Sequence, residues 1–301
     1  MPLSDNTRGA LLMMASMAAF TFNDAFMKSL AGTVPLFQLL FLRGVMTSAM
    51  TGGWALKQGA YRVQLPAKDW GLVALRVIAE VGAAYFFLTA LFVSPLANVT
   101  AILQSLPLTV TLAASILFGE AIGWRRMSAI FVGFLGVLLI IRPGPDGFDI
   151  NSIYVLIAVA FITMRDLATR RLSPEVPSML VTSLSAVGVM VFFGLGALGQ
   201  EWVSLDSRAW AFTALAALMV MGGYMFSVMV MRVGEISFIA PFRYTSLVWA
   251  LLLGWLVFGD WPDPVTLLGA AIVVGSGMFM LYREGQIARR KKRQNQPVRG
   301  S

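Results

Sequence analysis

Seven charged side chains stand inside stretches of sequence that are otherwise apolar: Arg43, Arg76, Arg165 and Arg243, with Asp24, Glu80 and Asp166. A charge near the centre of a bilayer costs about 3 kcal/mol or more, so each of these groups must face protein, water or a ligand. The chain contains no histidine and no cysteine. Imidazole acid–base chemistry, thiolate nucleophiles, disulfides and the usual zinc sites are thereby excluded, and no cofactor is expected. What remains for guanidinium and carboxylate groups in a dry interior is to pair with one another or to hold a polar substrate.

Arg76 and Glu80 lie four residues apart, which puts them on one helix face as an ion pair, either fixed or opened by substrate as a gate. Arg165 and Asp166 sit about 8 Å deeper along their helix than Arg170 and Arg171, and form a second candidate gate. Asn23 and Asp24 interrupt the run AAFTFNDAFMK; Asp24 could meet an arginine or carry a proton, or could be an interfacial acid near Lys28, itself read as a snorkelling end marker. Arg43 is expected to reach Asp24 or Glu80, or to touch substrate. Arg243 has no acid within a helical turn and is flanked by Phe242 and Tyr244. It is therefore the expected anchor for an anionic group, with a staple to Glu80 as the alternative. Asn98, Gln104, Tyr85 and Tyr224 are uncharged polar groups in the same stretches, able to line a cavity or to glue helices together.

The elements that carry these residues are transmembrane helices. Hydrophobic residues make up 58% of the 301 and charged residues 13%, and the mean hydropathy is +0.77, which marks an all-α polytopic membrane protein. Stretches long enough to cross a bilayer fall at 8–30, 35–56, 70–92, 95–118, 122–141, 150–171, 177–198, 208–231, 236–258 and 264–282. Turn-rich breaks such as RPGPDGFD from Arg142 and DWPDP from Asp260 separate them. No connection is long enough for a soluble domain. The first apolar run has no small-residue cleavage site, so no signal peptide is expected.

Lysine and arginine set the orientation. With the N-terminus inside, the cytoplasmic side receives Arg8, Lys57, Arg62, Lys68, Arg125, Arg126, Arg170, Arg171, Arg232, Arg283, Arg289, Arg290, Lys291, Lys292, Arg293 and Arg299, and the opposite side only Lys28, Arg142 and Arg208. Both termini are therefore expected in the cytoplasm. The net charge of +8 is topology of this kind, and nucleic acid is not an expected partner. A nucleotide-binding loop is absent from the sequence, so any work done by the chain would draw on a gradient or on exchange.

The chain also repeats itself. Shifted by 140 positions, SFIAPFRYTSLVWALLLGWLVFGD (Ser237 to Asp260) lies without a gap over ANVTAILQSLPLTVTLAASILFGE (Ala97 to Glu120). Each copy holds a proline, Pro107 or Pro241, and ends Phe-Gly-acid. A repeat of five spans has an odd number of crossings, so its second copy is inverted. Gln104 and Tyr244 occupy equivalent positions and are expected near one cavity. Glycines such as Gly133, Gly136, Gly269, Gly275 and Gly277 allow helices 5 and 10 to approach closely, within the fold or in a homodimer.

Together with FLRG at Phe41 to Gly44, GFLGVLLIIRP at Gly133 to Pro143 and APFRYTSLVWALLLGWLVFGDWPD at Ala240 to Asp263, these motifs resemble the drug/metabolite transporter superfamily, in particular its EamA-type members. The resemblance covers nearly the whole chain; Asp260 stands where such proteins usually have Glu. It implies ten helices in two inverted five-helix repeats, 1–143 and 150–283, followed by a basic cytoplasmic tail at 284–301. It further implies a central cavity lined by helices 1, 3, 4, 6, 8 and 9, and alternating-access transport of a small organic metabolite, amino-acid-like or otherwise polar, across the inner membrane. A drug or metabolite efflux pump of the same fold is the alternative, and an intramembrane enzyme a more remote one. Membrane lipid and the small-molecule substrate are the expected partners.

Overall fold

The computed structural model describes residues 4–119, 123–142, 149–230, 233 and 236–294. Glu120, which ends the first copy's motif, Arg232 and the chain beyond Gln294 lie outside the described residues. The elements are α1 (Asp5–Lys28), α2 (Leu36–Lys57), a 3-10 turn (Ala60–Arg62), α3 (Ala67–Val93), α4 (Leu96–Leu103), α5 (Leu106–Phe118), α6 (Trp124–Ile141), α7 (Ile150–Arg170), α8 (Ser178–Ala197), α9 (Ser207–Val230), α10 (Ile236–Ile239), a 3-10 segment (Ala240–Tyr244), α11 (Thr245–Phe258) and α12 (Pro264–Gln294). Among the described residues nine spans have the length and hydropathy to cross a membrane, with Leu96–Phe118 and Ala240–Phe258 each counting as one. The tenth is α2, 22 residues long. Its hydropathy is lowered by Gln38, Thr47 and Thr51, all of which are buried. Helix α12 continues eleven residues into the basic tail, from 284 to Gln294.

The fourth and ninth spans are broken at matching points, and proline is the cause. Pro107 stands at the start of α5 and Pro241 inside the 3-10 segment, where each removes a backbone donor and obstructs the preceding turn. Nearby hydroxyls take up the carbonyls: Ser105 Oγ donates to Ile102 O at 2.7 Å, and Thr245 Oγ1 donates to Phe242 O at 2.7 Å. Both partners of each bond are 140 positions from their counterparts. The same pseudo-symmetry explains the Phe-Gly ends, because Gly119 and Gly259 close their helices at φ 67° and φ 70°, a left-handed cap that a side chain would strain.

Packing follows one twofold scheme. Helix α2 packs on α8, α3 on α7, α1 on α9 and α6 on α12. Exchanging the two halves sends α2–α8 and α6–α12 into themselves and turns α3–α7 into α9–α1, which is what two inverted repeats require. The α6–α12 seam is set by glycine: a Cβ on Gly136 would stand 2.8 Å from Gly269 O, and one on Gly269 would stand 2.7 Å from Gly136 O. These two faces therefore meet within the chain. Gly275, by contrast, has nothing within 4 Å of its Cβ position.

The end of the bundle that carries Lys28 is filled by Met27, Leu39, Leu40, Leu91 and Leu96, all fully buried. Lys28 does not snorkel outward; its Nζ donates to Leu91 O at 3.1 Å and Ser94 O at 2.6 Å, capping the last turn of α3. At the same end Arg142 is paired with Asp263, joining α6 to α12. The outer surface is apolar, with Ile116, Phe131, Leu195 and Leu256 exposed along the helices and Trp70, Trp124, Trp202 and Trp261 near their ends. Such an apolar belt, on helices long enough to span a bilayer, marks the chain as a multi-pass membrane protein.

Candidate functional site

A cavity open to solvent, with about 410 Å³ of non-atom space when that open part is included, lies between α2, α3, α8 and α9. Helices of the second and seventh spans give it Arg43, Gly44, Thr47, Ser185, Ala186 and Val189; those of the third and eighth give it Glu80, Ala84, Val220 and Tyr224. The lining pairs off. Arg43 with Ser185, Gly44 with Ala186 and Thr47 with Val189 are each 142 positions apart, while Glu80 with Val220 and Ala84 with Tyr224 are 140 apart. The cavity therefore sits on the axis relating the two halves. Within these pairs the chemistry is unequal, since the charges come from the first half and the second contributes hydroxyls.

Glu80 is the centre of a network. Its Oε2 lies 3.8 Å from Arg76 Nη1 and 3.5 Å from Arg165 Nη1, and its Oε1 accepts from Tyr224 Oη at 3.2 Å. Arg165 is held by Asp166 at 2.9 Å. Arg76 donates from Nε to Thr169 Oγ1 at 2.9 Å and from Nη1 to Ser185 Oγ at 2.5 Å. Side-chain exposure is 14% at Glu80, 23% at Arg165 and 29% at Asp166, so water reaches the network from the Asp166 end. The expected Arg76–Glu80 pair is thus present, but it is loose, and a helix from the other half completes it.

Arg43 lines the same cavity but makes no hydrogen bond or close ion pair to this network among the described residues. Its Nη1 donates to Asn23 Oδ1 at 2.9 Å, and Asn23 Nδ2 donates in turn to Asp24 Oδ1 at 2.8 Å. The expected pairing with Asp24 is therefore relayed through an amide. No acid lies within 4 Å of Arg43 among the described residues, which leaves four of its five N–H donors without a protein partner. One turn along α2, the buried Thr47 Oγ1 also has no partner.

Several expected site residues lie elsewhere. Arg243 is exposed on the 3-10 segment, so the argument from an uncompensated buried charge does not apply to it. Phe242 packs on Phe238 at 5.9 Å, and Tyr244 is buried with its hydroxyl against Gly277. Gln104 donates to Ser246 Oγ at 2.7 Å and binds the two broken spans together; neither it nor Tyr244 lines the cavity. Asn98 is half-buried with Oδ1 unpartnered, away from the cavity. Tyr85 belongs to an aromatic cluster with Phe37, Phe86 and Phe192. The cavity is bounded by spans 2, 3, 7 and 8, where spans 1, 3, 4, 6, 8 and 9 were expected; spans 1 and 6 contribute behind it through Asn23 and Arg165. Thr47, Ser185 and Thr169 were not anticipated. Small hydroxyl residues are common in membrane helices, and only the 142-residue spacing from Arg43 could have picked out Ser185.

Residues 7–142 and 150–282 each match the EamA-like transporter family. An S-adenosylmethionine uptake transporter of Rickettsia prowazekii (strain Madrid E) is 23% identical over 283 residues, 92% of this chain and 93% of its own. A riboflavin transporter of Vibrio cholerae serotype O1 is 31% identical over 246 residues, 79% of this chain and 80% of its own. A pseudopaline exporter of Pseudomonas aeruginosa is 24% identical over 273 residues, 87% and 93% respectively. One crystal structure superposes with a TM-score of 0.62 over 95% of this chain and 99% of its own, at 18% identity, a likeness of fold.

Proposed function

The chain belongs to the EamA-like transporter family, and from that premise we infer that it moves its substrate by rocking its two halves about the cavity between α2, α3, α8 and α9. It is a secondary transporter of a small organic metabolite. The observation that carries the cavity assignment is its lining by positions paired through the repeat, because a site on the axis can be offered to either side without moving the substrate. Substrate meets Arg43, Thr47, Ser185, Glu80 and Tyr224 there, while Arg76, Arg165 and Asp166 guard the wetter end. Relatives named for S-adenosylmethionine uptake, riboflavin transport and pseudopaline export make both import and efflux directions to be assayed. The protein sits in the inner membrane with both termini cytoplasmic, on its lysine and arginine distribution. Lipid covers the apolar belt. A homodimer through α6 and α12 would use their outward rows, since Gly136 and Gly269 already face each other.

The test is counterflow in proteoliposomes with S-adenosylmethionine, riboflavin and the protein amino acids as probes. Saturable flux of at least one compound is expected, abolished by Ser185→Trp, which fills the cavity. Flux that survives that substitution unchanged would place the pathway elsewhere.

A further inference from the structure

The cavity's charges are balanced but unevenly used. Its two charged lining residues, Arg43 and Glu80, are of opposite sign, so the lining has no net charge, and a substrate of high net charge would be rejected there. Glu80 is engaged by two arginines and a tyrosine, whereas Arg43 spends one donor on Asn23 and Thr47 Oγ1 spends none. The two unspent groups stand one turn apart on the same face of α2, and both line the cavity. A planar guanidinium beside a hydroxyl is a receptor for a carboxylate, which takes two parallel N–H donors and one O–H. We propose that the substrate is a carboxylate-bearing metabolite without excess net charge, a zwitterion, anchored through its carboxylate by Arg43 and Thr47. A phosphate would bring close to two negative charges into a neutral lining, and fits less well.

This rests on the cavity being the transport site, and the experiment separates the two. Purified full-length protein is titrated by thermal shift with L-amino acids, each beside its own carboxamide, and with S-adenosylmethionine and riboflavin. At least one acid should bind about tenfold more tightly than its carboxamide. Arg43→Lys should remove about that factor for the acid and leave the carboxamide unchanged. Thr47→Val, which keeps volume, should weaken the same acid and serves as the second variant should Arg43 substitutions fail to fold. Equal binding of acid and carboxamide, binding of riboflavin alone, or no binding across the panel would overturn the proposal. Binding without flux in proteoliposomes would sink the transport reading while leaving the anchor; flux confined to compounds lacking a carboxylate would do the reverse.

A second inference stands on the two ends of the bundle, whatever the cavity binds. Lys28 Nζ lies 5.4 Å from the ring centroid of Phe258, and the Arg171 guanidinium lies 3.8 Å from that of Phe118. Phe118 and Phe258 are 140 positions apart, and each is the last residue of its helix before a left-handed glycine. Lys28 ends α1 and Arg171 caps α7, 143 positions apart. Each contact ties the first helix of one half to the fourth span of the other, one at each end of the bundle. The geometry points to a pair of latches, each of which must release for its end to open; a single cation–aromatic contact is weak enough to do so thermally.

With no native cysteine, Ser185→Cys in the cavity gives a lone reporter for membrane-impermeant methanethiosulfonate in right-side-out and inside-out vesicles. Phe258→Ala should raise its labelling rate about two- to fivefold from one side only, and Phe118→Ala from the other side only. Lys28→Met, which also frees Leu91 O and Ser94 O, should raise labelling from the same side as Phe258→Ala and by at least as much. Labelling that rises equally from both sides, or that neither substitution alters, would overturn the latches.

Discussion

Glu80 is bonded from three helices, Arg76 on its own helix, Arg165 on α7 and Tyr224 on α9. Removing it leaves two arginines without their shared acid, so Glu80→Ala should cost about 3 kcal/mol. Tyr224→Phe removes one hydrogen bond and should cost about 1 kcal/mol. Thermal or chemical unfolding in detergent ranks them, and equal losses would mean that Glu80 is not the hub. Much of this network could be read from the sequence, because a charge in an apolar stretch must find compensation and the four-residue spacing of Arg76 and Glu80 fixes a shared face. Which arginine faced the cavity could not. Pro241 converts the chain around Arg243 to a 3-10 segment, with three residues per turn in place of 3.6, so the facing inferred from an unbroken helix is lost. Arg243→Gln is accordingly expected to leave flux within about twofold of wild type, since an exposed arginine with no ion pair among the described residues has little to lose. A loss of affinity beyond tenfold would return Arg243 to the site.

At the scale of elements, the repeat was legible because both copies keep the features that shape a helix: a proline that breaks it, a Phe-Gly end that stops it. The partners of its glycines were not, because a small residue can face a neighbouring helix, lipid or nothing, and sequence spacing does not say which. Gly136 and Gly269 turn out to abut each other's backbone, whereas Gly275 faces open space. Gly136→Val and Gly269→Val should each cost about 1–3 kcal/mol through overpacking against main chain that cannot move aside. Gly275→Ala should be neutral or slightly stabilising by its gain in helix propensity. The comparison is made on detergent-solubilised yield and unfolding midpoint. A Gly136→Val protein as stable as wild type would show that the α6–α12 seam is loose.

For the whole molecule, the charge count of the loops predicts that a reporter active only outside the cytoplasm, fused after Ser301, stays silent, while the same reporter inserted at the turn near Arg208 is active. The reverse pattern would exchange the two ends and the side each latch controls. The unequal lining of the cavity carries a further implication for how such a chain could arise. In a dimer of two identical five-helix subunits every substitution appears twice, so an arginine at the place of Arg43 would confront its own copy where Ser185 now stands, two cations sharing one cavity. Joining the subunits in one polypeptide frees each wall to change alone. A hydroxyl can then answer a guanidinium and a valine can answer a carboxylate, so the duplicated scaffold keeps its mirrored motion while its binding surface acquires a head and a tail.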